Sequence, residues 1–71
     1  MSPDKLIYMA NQIATFFTSQ PEAERVDRVA GHLKDFWDPR MLRQLYEIVD
    51  RKTAGIDPLV LSAVSQLREA A

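Results

Sequence analysis

A chain of 71 residues has room for one domain, and its composition leaves few kinds of chemistry open. Nine Lys and Arg against ten Asp and Glu give a formal net charge of −1, which argues against nucleic acids and anionic membranes as partners. Without cysteine, neither a disulfide framework nor a Cys-based zinc site can form, so the expected stabiliser of so small a core is another protein chain.

Four prolines predict the starts of four helices. Proline is favoured in the first helical turn because its missing N–H would be unpaired there. A Ser or Asp before the proline can accept hydrogen bonds from the free N–H groups of the first turn. Gln20 is a weaker cap, and Ser19 could cap the second helix in its place. The four pairs are Ser2-Pro3, Gln20-Pro21, Asp38-Pro39 and Asp57-Pro58.

The predicted fold is all-α, with no strand-like alternation of polar and apolar residues. Segment 53–57 is the expected loop, and Gly55 within it is expected to be left-handed and to terminate the helix before it. The predicted helices, in a single domain over residues 1–71, span 3–19, 21–37, 39–52 and 58–69.

The first helix combines a wide apolar arc with an outer face that is polar but uncharged. Helices exposed to water normally carry Lys and Glu, whereas the cores of protein interfaces are depleted in them. We therefore expect a partner to cover this face; the alternative is a weakly charged face in contact with solvent. The apolar arc is Leu6, Ile7, Met9, Ala10, Ile13, Ala14, Phe16 and Phe17, and the outer face is Tyr8, Asn11, Gln12, Thr15 and Ser19.

The second helix has an ordinary half-buried pattern with one unusual residue, Gly31. A glycine inside a helix costs about 1 kcal/mol relative to alanine. Gly31 lies on the polar side, so either it lets a partner backbone approach closely or it is a tolerated surface position. The residues predicted to face the core are Val26, Val29, Ala30, Leu33, Phe36 and Trp37.

The corner between the second and third helices carries the only tryptophan. Phe36 and Trp37 are expected to close the second helix onto the core, although a Trp at a last turn can also expose an edge to a partner. Arg40 falls at the second position of the next helix, where the macrodipole favours an acid. It is expected either to pair with a partner or to form an internal salt bridge with Asp38 or Asp35.

The third and fourth helices complete the predicted core. Modest ion pairs are expected for Arg43–Glu47 and Glu47–Arg51 on the outer face of the third. The fourth repeats the combination of a wide apolar arc and an uncharged outer face. Its apolar residues are Leu59, Val60, Leu61, Ala63, Val64 and Leu67, and those of the third are Met41, Leu42, Leu45, Tyr46, Ile48 and Val49.

No catalytic, cofactor-binding or metal-ligating set is predicted. His32 is the only histidine, and with Asp35 one turn on it is expected to be a surface residue. The chain has two glycines, too few for a phosphate-binding loop. The N-terminus lacks a basic stretch followed by an apolar core, so no secretory signal is expected. The longest uncharged stretch, 6–21, is too short to span a bilayer.

Two segments resemble a known family. "MANQIATFF" (9–17) and "HLKDFWDPRM" (32–41) are similar to the signature segments of the delta subunit of bacterial NAD-dependent formate dehydrogenases, and "DPLV" (57–60) is similar to the start of that family's last helix. The resemblance implies a cytoplasmic complex that oxidises formate to carbon dioxide and passes electrons to NAD. Its alpha subunit holds a molybdenum or tungsten pterin and iron–sulfur clusters, and its other subunits carry FMN and further clusters.

The resemblance also implies that the delta subunit holds no redox centre and is not itself an enzyme. We therefore expect an accessory subunit that binds the alpha subunit, and other subunits of the same complex, and supports assembly or quaternary stability. The alternative is a transient maturation factor that assists insertion of the pterin cofactor. A third hypothesis, a small regulator that binds DNA, is disfavoured because the chain has no basic recognition helix. The candidate partner-binding residues are Tyr8, Asn11, Gln12, Thr15, Gly31, Trp37, Arg40, Met41 and Arg43.

Overall fold

The computed structural model describes residues 1–70, which form four α-helices and one turn of 3-10 helix and contain no strand. The predicted all-α fold with four helices is confirmed. The elements are α1 (Pro3–Phe16), the 3-10 turn (Phe17–Ser19), α2 (Glu22–Phe36), α3 (Pro39–Asp50) and α4 (Pro58–Ala70).

Three of the four predicted proline-led starts carry the expected side-chain cap. In each, the oxygen of the residue before proline accepts a backbone N–H of the first turn, which would otherwise be unpaired. The bonds run from Lys5 N to Ser2 Oγ (3.2 Å), from Met41 N to Asp38 Oδ1 (2.9 Å) and from Leu59 N to Asp57 Oδ1 (2.8 Å).

The start of α2 differs from the prediction, because Pro21 is the N-cap and no side chain caps the helix. The Pro21 carbonyl accepts the Glu24 N–H at 2.9 Å. Gln20 is held extended, as the residue before a proline tends to be. The Ser19 hydroxyl donates instead to the Phe16 carbonyl, at 3.4 Å.

The first helix is shorter than the predicted span 3–19, because its last residues tighten into the 3-10 turn. The Thr18 hydroxyl donates to the Thr15 carbonyl at 2.6 Å. Serine and threonine hydroxyls compete with the helical pattern in this way, and short 3-10 turns are common where α-helices end.

The third helix also ends early, and Gly55 does not terminate it. Lys52 takes the left-handed conformation there, with a φ of 55°. The Lys52 N–H donates to Val49 O at 3.0 Å and the Thr53 N–H to Ile48 O at 3.4 Å, which is the Schellman arrangement. Gly55 is left-handed too, with a φ of 89°, but it lies farther along the loop.

We predict that Lys52→Gly raises the free energy of unfolding by about 0.5–1 kcal/mol, because a residue with a Cβ is strained in the left-handed region and glycine is not. Urea unfolding of the isolated chain measures the effect. Gly55→Ala is the matched control and should lower stability, since it introduces the same strain. A loss of stability in Lys52→Gly would contradict this description of the helix end.

The core is wholly apolar among the residues described. The most extensive contact between helices joins α2 to α4, while α1 lies against α3 and makes smaller contacts with α2 and α4. Burying these side chains is the main favourable term in folding. The largest fully buried residues are Leu6, Val29, Leu33, Leu45, Val60 and Val64.

Three residues predicted to face the core are exposed instead. Phe16 and Phe36 are each 73% exposed, and Leu61 is 41% exposed. Consecutive residues on a helix point about 100° apart, so a neighbour takes the inward position at each aromatic pair. Phe17 is partly buried against the core, and Trp37 is 6% exposed. The prediction that Phe36 helps to close α2 onto the core is therefore wrong.

The predicted ion pairs of α3, Arg43–Glu47 and Glu47–Arg51, do not form within residues 1–70. Exposed pairs of this kind contribute only about 0.3–0.5 kcal/mol each, so the fold does not depend on them. A pair between helices forms instead, since Arg68 of α4 donates twice to the Asp50 carboxylate, at 2.6 and 3.2 Å. These hydrogen bonds hold the pKa of Asp50 below its usual value.

Candidate functional site

Three phenylalanine rings and the His32 ring form one group where the end of α1 meets α2. The Phe16 and Phe17 rings meet edge to face, with their centroids 5.0 Å apart. Phe17 is 6.1 Å from the His32 ring, and His32 stacks on Phe36 at 4.7 Å. Such pairs contribute about 0.5–1.5 kcal/mol beyond the area they bury, so the chain holds this surface in a defined arrangement even though both outer rings face solvent.

The same surface continues along the outer side of α1. Gln12 Nε2 donates to the Tyr8 hydroxyl at 2.7 Å, and Tyr8 is 63% exposed. Gln12 also lines, with Ile13, a shallow apolar groove against the rings of Phe16, Phe17 and His32. We call the whole surface the aromatic face; it consists of Tyr8, Gln12, Phe16, Phe17, His32 and Phe36.

A second, acidic hollow adjoins the aromatic face. It shares Phe17 and His32 with the apolar groove and extends along α2 past Gly31. A Cβ built on Gly31 would meet no atom within 4 Å, so nothing inside the described chain requires a glycine there. The charged residues of this hollow are Glu24, Asp27, Arg28 and Asp35.

Three of the predicted partner-binding residues lie on the exposed side of α1. Tyr8 and Gln12 belong to the aromatic face, and Thr15 is exposed beside Phe16 in the sequence. Gly31 is half-buried at the acidic hollow. Contact between these residues and a partner stays a prediction.

Asn11 has an internal role that the helical pattern does not reveal. Its Nδ2 donates to the Gly55 carbonyl at 2.8 Å, and its Oδ1 accepts the Asp57 N–H at 2.9 Å. One half-buried side chain thereby ties the α3–α4 loop to α1. Its amide is thus engaged within the chain rather than directed only to a partner.

We predict that Asn11→Ala lowers the free energy of unfolding by about 1–3 kcal/mol, because the partly buried Asp57 N–H loses its acceptor. Gln12→Ala, which removes an exposed amide one residue away, should change it by no more than about 0.5 kcal/mol. Chemical denaturation of both variants measures the difference. Equal stability of the two would contradict the tie between loop and helix.

Trp37 is a core residue, in agreement with the prediction that it closes the second helix onto the core. It is 6% exposed, and its backbone N–H donates to the Leu33 carbonyl at 3.0 Å. An exposed edge, the other possibility for this Trp, is not present. Trp37 therefore offers a partner little surface and instead fixes the corner from which α3 begins.

The three predicted site residues of α3 differ in exposure. Arg40 and Arg43 are exposed, and neither forms an ion pair with any residue described, so the expected bridge from Arg40 to Asp38 or Asp35 is absent there. Met41 is partly buried against the core. Arg40 and Arg43 are free to meet a partner's acidic or carbonyl groups.

Phe16 and Phe36 were missing from the predicted site because their wheel positions placed them in the core. The sequence does contain a signal, since each stands beside a second aromatic residue at a helix end, in Phe16-Phe17 and Phe36-Trp37. Only one member of such a pair can point at the centre of a small helical domain.

Residues 1–70 contain no group of three or more His, Cys, Asp or Glu arranged to hold a metal ion. The single histidine is engaged in the aromatic stack with Phe17 and Phe36. Within the same residues, no helix has the length and hydropathy needed to cross a membrane.

The comparison with known families agrees with the resemblance of the two signature segments. A profile of the family described as NADH-dependent formate dehydrogenase delta subunit FdsD matches residues 5–64. This range covers α1 from its third residue, all of α2 and α3 and the first half of α4, including every residue of the aromatic face. No curated protein and no solved structure matches the chain. The chain belongs to the family of the delta subunits of NADH-dependent formate dehydrogenases.

Proposed function

We propose that this chain is a non-catalytic accessory subunit that binds the large, cofactor-bearing alpha subunit of its formate dehydrogenase and supports assembly or quaternary stability. The aromatic face is the observation that carries the proposal. It joins two Phe side chains that are each 73% exposed with the uncharged outer side of α1. Exposed apolar patches rimmed by polar residues mark sites where proteins associate, and aromatic residues are enriched at interfaces.

The arrangement of the polar residues also supports a binding role rather than a catalytic one. The only histidine lies between two aromatic rings, where it shapes a surface. The two capping carboxylates, Asp38 and Asp57, accept hydrogen bonds from helix starts. From the resemblance to the family, we propose in addition that other subunits of the complex hold its pterin, iron–sulfur and flavin groups, and that the complex is cytoplasmic.

Co-purification tests the proposal. A tag on this chain should recover the mature formate dehydrogenase with the chain present in a fixed ratio to the alpha subunit. A mature enzyme that consistently lacks this chain would contradict a structural subunit. If deletion of the chain lowers the pterin content, while mature enzyme purified without it keeps full activity, the chain acts instead as a transient maturation factor.

Arg40→Glu separates a partner role for this residue from a structural one. The change should raise the free energy of unfolding by about 0.3–1 kcal/mol, because an acid replaces a cation at the positive end of α3. It should also weaken retention of the chain by the alpha subunit. Arg51→Glu, at the opposite end of the same helix, carries the same charge change and should leave retention intact. Unchanged retention of Arg40→Glu would show that Arg40 serves no partner.

A further inference from the structure

The apolar groove of the aromatic face has an acidic rim where it adjoins the acidic hollow. The groove and the acidic hollow share Phe17 and His32 in their linings, so they adjoin each other beside α2, and we call the two together the depression. Three carboxylates and one arginine line the acidic part, which gives it a formal charge of −2. The negative charge of the rim therefore constrains the charge of any partner surface that covers the aromatic rings.

The arginine does not neutralise the whole rim. Arg28 pairs with Glu24 at 3.0 Å, whereas neither Asp27 nor Asp35 forms an ion pair with any residue from 1 to 70. Two exposed carboxylates beside an apolar groove favour a partner that brings positive charge, because charge complementarity steers association and fixes register.

The spacing along α2 adds a geometric constraint. Asp27, Gly31 and Asp35 follow one another at intervals of four, so they lie on one side of the helix, with the two carboxylates about 12 Å apart along its axis. Nothing stands within 4 Å of the Cβ position at Gly31. A second helix can therefore approach most closely between the two acids, at the short end of the usual range of about 8–10 Å between helix axes.

We propose that this depression receives a basic amphipathic helix of the alpha subunit, an inference that rests on the proposed function. The helix crosses α2 over Gly31 and places an apolar side chain against Phe16, Phe17, His32 and Phe36. Two Lys or Arg residues, about seven or eight positions apart, reach Asp27 and Asp35. A second copy of this chain fits less well: its Arg43 and Arg51 have that spacing, but an acid, Glu47, stands between them.

Steric variants of the full chain test the crossing point. Gly31→Gln should fold and melt at a higher temperature than the wild type, because glutamine is the better helix former and finds open space. It should nevertheless bind immobilised formate dehydrogenase, purified from a strain that lacks this chain, at least about tenfold more weakly. Ser65→Gln, which places the same side chain at an exposed position of α4, should bind as the wild type does.

Charge reversal tests the rim in the same assay. Asp27→Lys with Asp35→Lys should weaken binding about tenfold and reverse its salt dependence. Glu47→Lys with Glu69→Lys makes the same change of net charge away from the depression and should leave affinity within about twofold. Wild-type affinity in both Gly31→Gln and the double aspartate variant would overturn the inference, while failure of the wild type itself to bind would overturn the proposed function.

The partner segment can be identified directly. A photo-crosslinking amino acid at position 31 should capture an alpha-subunit peptide with basic residues on either side of an apolar one. The same group at Gln66, exposed on α4, should not capture that peptide. Capture of an acidic segment, or of a second copy of this chain, would overturn the inference even if the chain binds the enzyme.

Discussion

Trp37→Ala should leave the isolated chain largely unfolded. The side chain is 6% exposed at the corner between α2 and α3, and truncating a buried Trp or Phe costs about 3–5 kcal/mol. A domain of this size has a total stability of only about 3–5 kcal/mol. Circular dichroism should therefore show the loss of most helical signal, and urea titration should show no folded baseline.

The neighbouring residue provides a matched control for that experiment. Phe36→Ala also removes an aromatic ring, from a residue that is 73% exposed. Its main loss is the stacking contact with His32, worth about 0.5–1.5 kcal/mol, so the helical signal should persist. If Phe36→Ala unfolded the chain as fully as Trp37→Ala, the assignment of one residue to the core and the other to the surface would be wrong.

The second large effect concerns binding rather than folding. The double variant Phe16→Gln, Phe36→Gln should remain helical, because both rings face solvent and glutamine is a good helix former. Its affinity for the alpha subunit should fall by more than about 100-fold, since truncating a central interface residue costs about 2 kcal/mol or more. Biolayer interferometry against the enzyme lacking this chain measures the change.

Leu61→Gln is the control for this double variant. Leu61 is an exposed apolar residue of α4, outside the aromatic face, so the substitution lowers surface hydrophobicity without touching the proposed interface. It should bind as the wild type does. Retained affinity in the double aromatic variant, or an equal loss in Leu61→Gln, would show that the aromatic face is not the docking surface.

Local chemistry made most of the fold predictable. A polar residue before proline fixes where a helix can begin, and the caps at Ser2, Asp38 and Asp57 form as the sequence indicates. Helix ends were harder to predict, because hydroxyl groups and a left-handed lysine decide them. Lys52 in that conformation could not be predicted from a residue scale that favours glycine.

The sequence predicts only part of the candidate site. The uncharged outer side of α1 indicates Tyr8 and Gln12, but the apolar arcs of α1 and α2 include Phe16 and Phe36 and so predict both in the core. The other carboxamide of α1, Asn11, forms hydrogen bonds with residues 44 and 46 positions away. Contacts across that distance depend on how the helices meet, which no local pattern contains.

The solvent accessibility of Phe16 and Phe36 in the assembled enzyme tests the central claim most directly. Hydroxyl-radical footprinting reports how fast each ring is modified, in the free monomeric chain and within the complete formate dehydrogenase, with Leu61 as the internal reference. We predict that both Phe residues lose most of their reactivity on assembly while Leu61 keeps its own. Equal reactivity of Phe16 and Phe36 in the free chain and in the complex would contradict docking through the aromatic face.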